Sequence, residues 1–307
     1  MFKKSLLLIA ALMAAALFFV LPVWPGAVPT SIVPEGARWI AHLDMERFVA
    51  TKLYEYLEKD GRFEIKSRDL NRWLKIDVPK DITGLTVFGL EPGEKQAVFA
   101  IAGKFDKPGL LAFIALDKEH QETPYGSYTL YSTGSDEYGA FINDGLIVFS
   151  ESREAIEKVL DTAAGKTKTF AASNLNAAFK DVPSSAFLSG VVGDLAGLGK
   201  EINQSKIVEK ATGMFFLAQE KQDNLLVRLQ VTADSPESAK NMADVVQGLI
   251  AMARLGEGRG DMARIVSLVE GVQVKLDGKT VRLEFNRPSR EIADLMSRGR
   301  GLDRLFD

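Results

Sequence analysis

The chain has 307 residues, 46% hydrophobic and 26% charged, an ordinary globular composition long enough for two domains. A net charge of −3 argues against nonspecific binding to nucleic acid or to anionic lipid. With no cysteine, disulfides, thiolate metal sites, cysteine nucleophiles and a lipidated cysteine anchor are all excluded.

The chain opens "MFKKSLLLIAALMAAALFFVLPVWPGAVPT", with Lys3 and Lys4 followed by no charge until Glu35. Ser5 to Val23 would make a helix about 28 Å long, close to the hydrocarbon thickness of a bilayer. Residues 1–30 are expected to be a signal anchor, meeting the membrane through residues 5–23, with the basic start inside and the rest outside. A cleaved signal peptide is the alternative, although Pro25 before Ala27 makes an unfavourable cleavage site. The expected location is the inner membrane facing the periplasm, or the periplasm or exterior if the segment is removed.

Residues 31–164 read as a first α+β module, 165–184 as a linker and 185–307 as a second, similar module. In the first, "ARWIAHLDMERFVATKLYEYL" (37–57) predicts a strand and then a helix with Phe48, Val49, Leu53, Tyr56 and Leu57 on one face. The second opens likewise with "SAFLSGVVGDLAGLGKEI" (185–202). Segments 84–116 and 213–246 each read as strand, polar turn, strand, then Asp-x-Pro and a helix. Asp106 and Asp234 are expected to cap those helices, with Pro108 and Pro236 in the first turn and Glu237 completing a capping box. Segments 139–160 and 272–296 each carry Asp-Gly (144–145 and 277–278), the strongest short hairpin signal, and then Ser-Arg-Glu before an amphipathic helix. Three matches in one order favour duplication over two unrelated α+β domains. The expected class is α+β: two tandem modules of mostly antiparallel sheet with helices packed on a face. In the helix at 236–255, Ala239, Met242, Val246, Leu249, Ile250 and Ala253 form the predicted buried stripe.

The chemistry-bearing motifs are few. Gly165-Lys166-Thr167 has the ending of a phosphate loop, but Leu160 stands where the first glycine belongs, and a helix precedes it where a strand is required. Gly165 reads instead as a helix-ending glycine. "GDLAGLGKEI" (193–202) has Asp194 and Glu201 at two positions a nucleotide loop reserves for glycine and for serine or threonine. No nucleotide or other cofactor is expected. "GEGRGD" (256–261) reads as a flexible turn, and the arginines of the tail "SRGRGLDRLFD" alternate with aspartates as a solvated end. His42 and Asp44, two apart on the first strand, are the candidate catalytic pair, with capping of the next helix by Asp44 as the competing role. His120 lies in "DKEHQE" (117–122), read as a polar loop. No recognised metal-ligand spacing occurs, and no metal is expected.

The opening "VPEGARWIAHLDMERFVATKLYEYL" (33–57) with "DITGLTVFG" (81–89) resembles the start of uncharacterised exported bacterial proteins that carry an N-terminal hydrophobic segment and α+β modules. The resemblance covers about the first third of the chain. It implies export and names no activity. The expected function is a non-catalytic binding or scaffold protein of the bacterial envelope, with an envelope protein as possible partner and contact between the modules. The alternative is a metal-independent envelope hydrolase using His42 and Asp44.

Overall fold

A computed structural model describes residues 29–60, 76–90, 96–134, 137–179, 182–193, 195, 208–255 and 271–298. The apolar segment at 5–23, the turn at 256–261, most of the glycine run 193–202 and the tail beyond Arg298 lie outside the described residues. Among the described residues, no helix is long and apolar enough to cross a membrane.

The chain divides into two compact units. The first comprises residues up to Val49 and Phe63–Val182, and the second Ala50–Arg62 and the chain from Pro183 onward. One short stretch near the N-terminus therefore belongs with the C-terminal half.

In the first unit, β1 (Trp39–Asp44), β2 (Ile82–Gly89), β3 (Ala97–Gly103), β4 (Gln121–Tyr125), β5 (Tyr128–Thr133), β6 (Glu137–Asn143) and β7 (Leu146–Ser150) lie in the order β1-β2-β3-β7-β6-β5-β4. All these neighbours are antiparallel. Asp144-Gly145 turns the β6–β7 hairpin as expected, with Asn143 Oδ1 accepting from the Gly145 N–H at 2.9 Å. The polar stretch 117–122, expected as loop, instead runs into β4. An edge strand tolerates such residues because one face and one edge stay wet.

The first unit buries residues on both faces of this sheet, with Leu43, Leu85 and Val87 on one and Val98, Ala100 and Val148 on the other. Ala100 and Val148 oppose each other in register and are fully buried. Above them packs helix Arg153–Ala163, whose Ala155, Ile156, Val159 and Leu160 recur at one-turn spacing and are likewise buried. Ser152 starts this helix, its hydroxyl accepting from the Ala155 N–H at 3.2 Å. Most of the expected linker, up to Val182, belongs to the first unit. Phe170 is fully buried, its N–H donates to the Val33 carbonyl at 2.7 Å, and its ring meets Phe179 edge-on. By contrast, helix Lys107–Ile114 has no buried residue despite its sequence KPGLLAFI, and Leu116 just beyond it is 64% exposed.

In the second unit, β8 (Ala186–Val192), β9 (Ala211–Lys221), β10 (Asn224–Ala233), β11 (Val272–Asp277) and β12 (Thr280–Pro288) lie in the order β8-β9-β10-β12-β11, again antiparallel. The Asp277-Gly278 hairpin forms. Helix Pro236–Leu255 packs on β10, β12 and β11, and Ala239, Met242 and Ala243 close a small core with Ala211, Ala233 and Val281. Four alanines in this cluster let the helix approach the sheet closely. Ile250 is also buried and Val246 half-buried, as the stripe predicted; the Leu249 and Ala253 side chains lie outside the described set.

The single helix predicted to follow the strand within 37–57 is two helices, Met45–Val49 and Lys52–Lys59, broken at Ala50. Thr51 restarts the chain by accepting from the Tyr54 N–H at 3.0 Å. Only the second piece groups with the C-terminal half. It packs on helix Ser289–Arg298 and buries Leu53, Tyr54 and Leu57.

Candidate functional site

His42 and Asp44 lie on one face of β1, as their spacing required, and both are buried. His42 stands opposite Thr86 in the β1–β2 register, and its Nδ1 shares a 2.9 Å hydrogen bond with Thr86 Oγ1. Thr86 is itself 0% exposed. Asp44 Oδ1 accepts from the Arg47 N–H at 2.9 Å, and its Oδ2 meets Arg47 Nε at 2.8 Å. The carboxylate thus satisfies an orphan N–H of the short helix Met45–Val49 and holds the guanidinium one turn on. These contacts tie the pair to the strand–helix junction.

Gly165 closes helix Arg153–Ala163 with φ +73°. The Gly165 N–H donates to the Thr162 carbonyl at 3.0 Å and the Lys166 N–H to the Asp161 carbonyl at 2.9 Å. This is the paired-bond helix end that glycine favours, and it presents carbonyls where a phosphate needs N–H groups. Lys166 Nζ is engaged with Asp161 Oδ1 at 2.7 Å and lies 5.5 Å over the Tyr125 ring. Burial, and then Asp161 accepting its hydroxyl at 3.1 Å, raise the Tyr125 pKa.

The two Asp-x-Pro helix starts differ by one residue. Asp106 caps its helix by accepting from the Gly109 N–H at 3.2 Å. In the second unit the cap is Ser235, whose Oγ accepts from the Ser238 N–H at 3.1 Å. Asp234 is therefore not the cap, and Glu237 falls one position short of the capping-box place, which Ser238 occupies. Hydrogen bonds from Ser238, and then Lys210 and Ser235, lower the Asp234 pKa.

His120 Nε2 lies 3.3 Å from Glu122 Oε1, and its ring stacks on Tyr131 with centroids 6.1 Å apart. Among the described residues, no group of three or more histidines, aspartates and glutamates is placed to hold a metal.

Two constellations escaped the sequence reading. In the first, Glu220 near the end of β9 accepts from the Lys52 N–H at 2.6 Å and the Leu53 N–H at 2.9 Å, and also takes the Ser289 hydroxyl. One carboxylate thus holds the starts of two helices. Arg290 lies over the Tyr56 ring at 5.8 Å in the same helix pair. In the second, Arg228, Lys275, Arg282 and Glu284 share one face of the outer strands. Glu284 receives Arg228 Nε at 2.8 Å and Lys275 Nζ at 3.0 Å, while Arg282 donates to Gln230 at 3.3 Å. Lys275 and then Arg228 pull the Glu284 pKa down against a partly offsetting cost of burial. A signal for this face was present in the alternation of "VRLQV" (227–231) and "VRLEF" (281–285).

The class these observations define is α+β, a mostly antiparallel sheet with a few helices. The fold is similar to that of TP0453. Crystal form III of that protein superposes with a TM-score of 0.53 at 9% identity, over 89% of this chain and 98% of the other. Forms IV and I give 0.51 and 0.50 at 9% and 11% identity, over 89% of this chain and 97% of theirs. No family model and no curated protein matches the chain.

Proposed function

We propose that the chain is an exported, membrane-anchored, non-catalytic binding or scaffold protein of the bacterial envelope, built by duplicating one α+β module. The observation that carries this reading is the uncharged run at 5–23 behind Lys3 and Lys4. Duplication is supported by the matching orders β1-β2-β3-β7-β6 and β8-β9-β10-β12-β11. In each unit one helix follows the third strand of this shared order and another follows its last strand in sequence. The β4–β5 hairpin is then an addition to the first copy.

The rival hydrolase reading rests on His42 and Asp44 sharing a face. A hydrolase needs a reachable nucleophile beside the histidine, and the Thr86 hydroxyl bonded to His42 is wholly buried. The Asp44 oxygens meanwhile serve the helix start. The geometry favours the non-catalytic reading.

Intact mass and carbonate extraction of the native protein, with cross-linking of its neighbours, test the proposal. It expects full-length mass, retention in the membrane pellet and a cross-linked envelope protein. A shortened, freely soluble chain without neighbours would overturn it.

A further inference from the structure

We propose that the outer edge of β11, beside helix Pro236–Leu255, takes up an extended peptide strand whose residues alternate between apolar and acidic. This deepens the binding reading above and rests on it, because it names the chemistry of the partner.

Four observations converge on this edge. β11 is the terminal strand of its unit and, among the described residues, pairs only with β12. Along one side of a strand so placed, alternate N–H and C=O groups are open to an incoming chain. Second, Leu276 on β11 is 47% exposed and Val245 on the helix packed against it 42% exposed. These are two of the three large apolar side chains left exposed among the described residues, the third being Leu116. A strand edge flanked by a helix with spare apolar surface is a recurring geometry for peptide capture by strand addition.

Third, the two faces of β11 differ in chemistry. Val272, Val274 and Leu276 share one face, and Gln273, Lys275 and Asp277 the other. On the polar face Lys275 stands opposite Arg282 in register, and Arg228 stands opposite the neighbouring Glu284. Glu284 serves both Arg228 and Lys275, and Asp277 lies at the strand's end, so three cations face two carboxylates. A strand added here sets its apolar residues beside Val274 and Leu276 and its alternate residues beside Lys275, where acidic side chains are attracted and basic ones repelled. Fourth, the terminal strand of the first unit is built differently. β4 contains Pro124, which has no N–H to donate, and an exposed Glu122. Those are the usual guards against strand addition. β11 contains no proline, and its only basic guard, Lys275, selects for acidic partners.

The test uses the full-length protein in detergent micelles and a fluorescein-labelled eight-residue peptide alternating valine and glutamate. Two N-methylated versions accompany it, one blocked at the valine amides and one at the glutamate amides. Successive amides of a strand point to opposite edges, so only one version can keep its pairing edge. The proposal expects saturable binding by fluorescence anisotropy, abolished by one methylation pattern and preserved by the other. It also expects new hydrogen-exchange protection at Gln273–Asp277, and no binding of the valine–lysine counterpart. Lys275→Glu, at an exposed position, should weaken the glutamate peptide about fivefold, the scale of one exposed charge pair. Binding that survives both methylation patterns, protection on Gln121–Tyr125 instead, or no binding at millimolar peptide overturns the inference. None of these results bears on full-length mass, membrane retention or cross-linking, so this proposal can fail while the envelope reading stands.

Discussion

Glu220 is the residue whose removal should reveal most. Helix Lys52–Lys59 has eight residues, and helices shorter than about 12 residues are marginal in water without tertiary support. Its supports are the burial of Leu53, Tyr54 and Leu57, the Thr51 cap, and the Glu220 carboxylate on its first two N–H groups. Losing the acceptor at a helix start costs about 0.5–2 kcal/mol. Freeing the buried Ser289 hydroxyl as well brings the expected cost of Glu220→Ala to about 2–4 kcal/mol. Glu220→Gln keeps one accepting oxygen but turns an amide donor toward a backbone donor, and should fall between wild type and alanine. Native-state hydrogen exchange across residues 52–59 and 289–294 reads the effect locally, and denaturant melts read it globally. The reasoning predicts that the two helices lose protection together while Ala155–Leu160 of the first unit keeps its own. Unchanged exchange at 52–59 in the alanine variant would refute the claim that this carboxylate secures the helix.

Gln222 and Asp223 turn the β9–β10 hairpin with φ of 51° and 59°, a conformation that glycine, asparagine and aspartate tolerate and that strains glutamine. Gln222→Gly should therefore raise stability by about 0.5–1 kcal/mol in thermal melts, with Asp223, whose carbonyl accepts from the Ser289 N–H, left in place. Thr86→Val leaves His42 Nδ1 without its hydroxyl partner in a buried place and should cost about 1–3 kcal/mol by urea titration. Glu55 is held down to a pKa of about 2 by hydrogen bonds from Lys52 and Lys59. Because its folded value is depressed, its stabilisation is complete above about pH 4.5 and fades as pH falls towards 2. Protection at residues 52–59, relative to the intrinsic exchange rate at each pH, should fall over that range and by less in Glu55→Gln, with salt blunting the difference.

Local chemistry made much of the fold legible. Asp-Gly turns, the Gly165 helix end, the Asp106 cap and the stripe through Ala239, Met242 and Ile250 each depend on neighbours within a few positions. The helix break at Ala50 went unread because the apolar spacing of Phe48, Val49, Leu53 and Leu57 fits one helix as well as two. The β4–β5 hairpin was hidden by the polarity of "DKEHQE", since periodicity marks buried faces and an edge strand has little to bury. At the second Asp-x-Pro, Ser235 and Asp234 both carry capping oxygens, and spacing alone could not choose between them. The candidate site was legible as a pairing on one strand face, but its role depended on Thr86 and Arg47. The Glu220 contacts span 167 and 168 positions, and no local pattern records them.

That span has a consequence for biosynthesis. Helix Lys52–Lys59 leaves the ribosome early, while the strand that holds its start and the helix it packs against are still unmade. At roughly 5–20 residues per second, Glu220 follows Lys52 only on the order of ten seconds later, and Ser289–Arg298 later still. Throughout that interval Leu53, Tyr54 and Leu57 lack the surface that finally covers them, in a chain that also carries an uncharged apolar run at 5–23. A stop codon placed after Val182 should therefore not release a finished half. It would yield a product with an orphaned helix, prone to cling to whatever apolar surface it meets first.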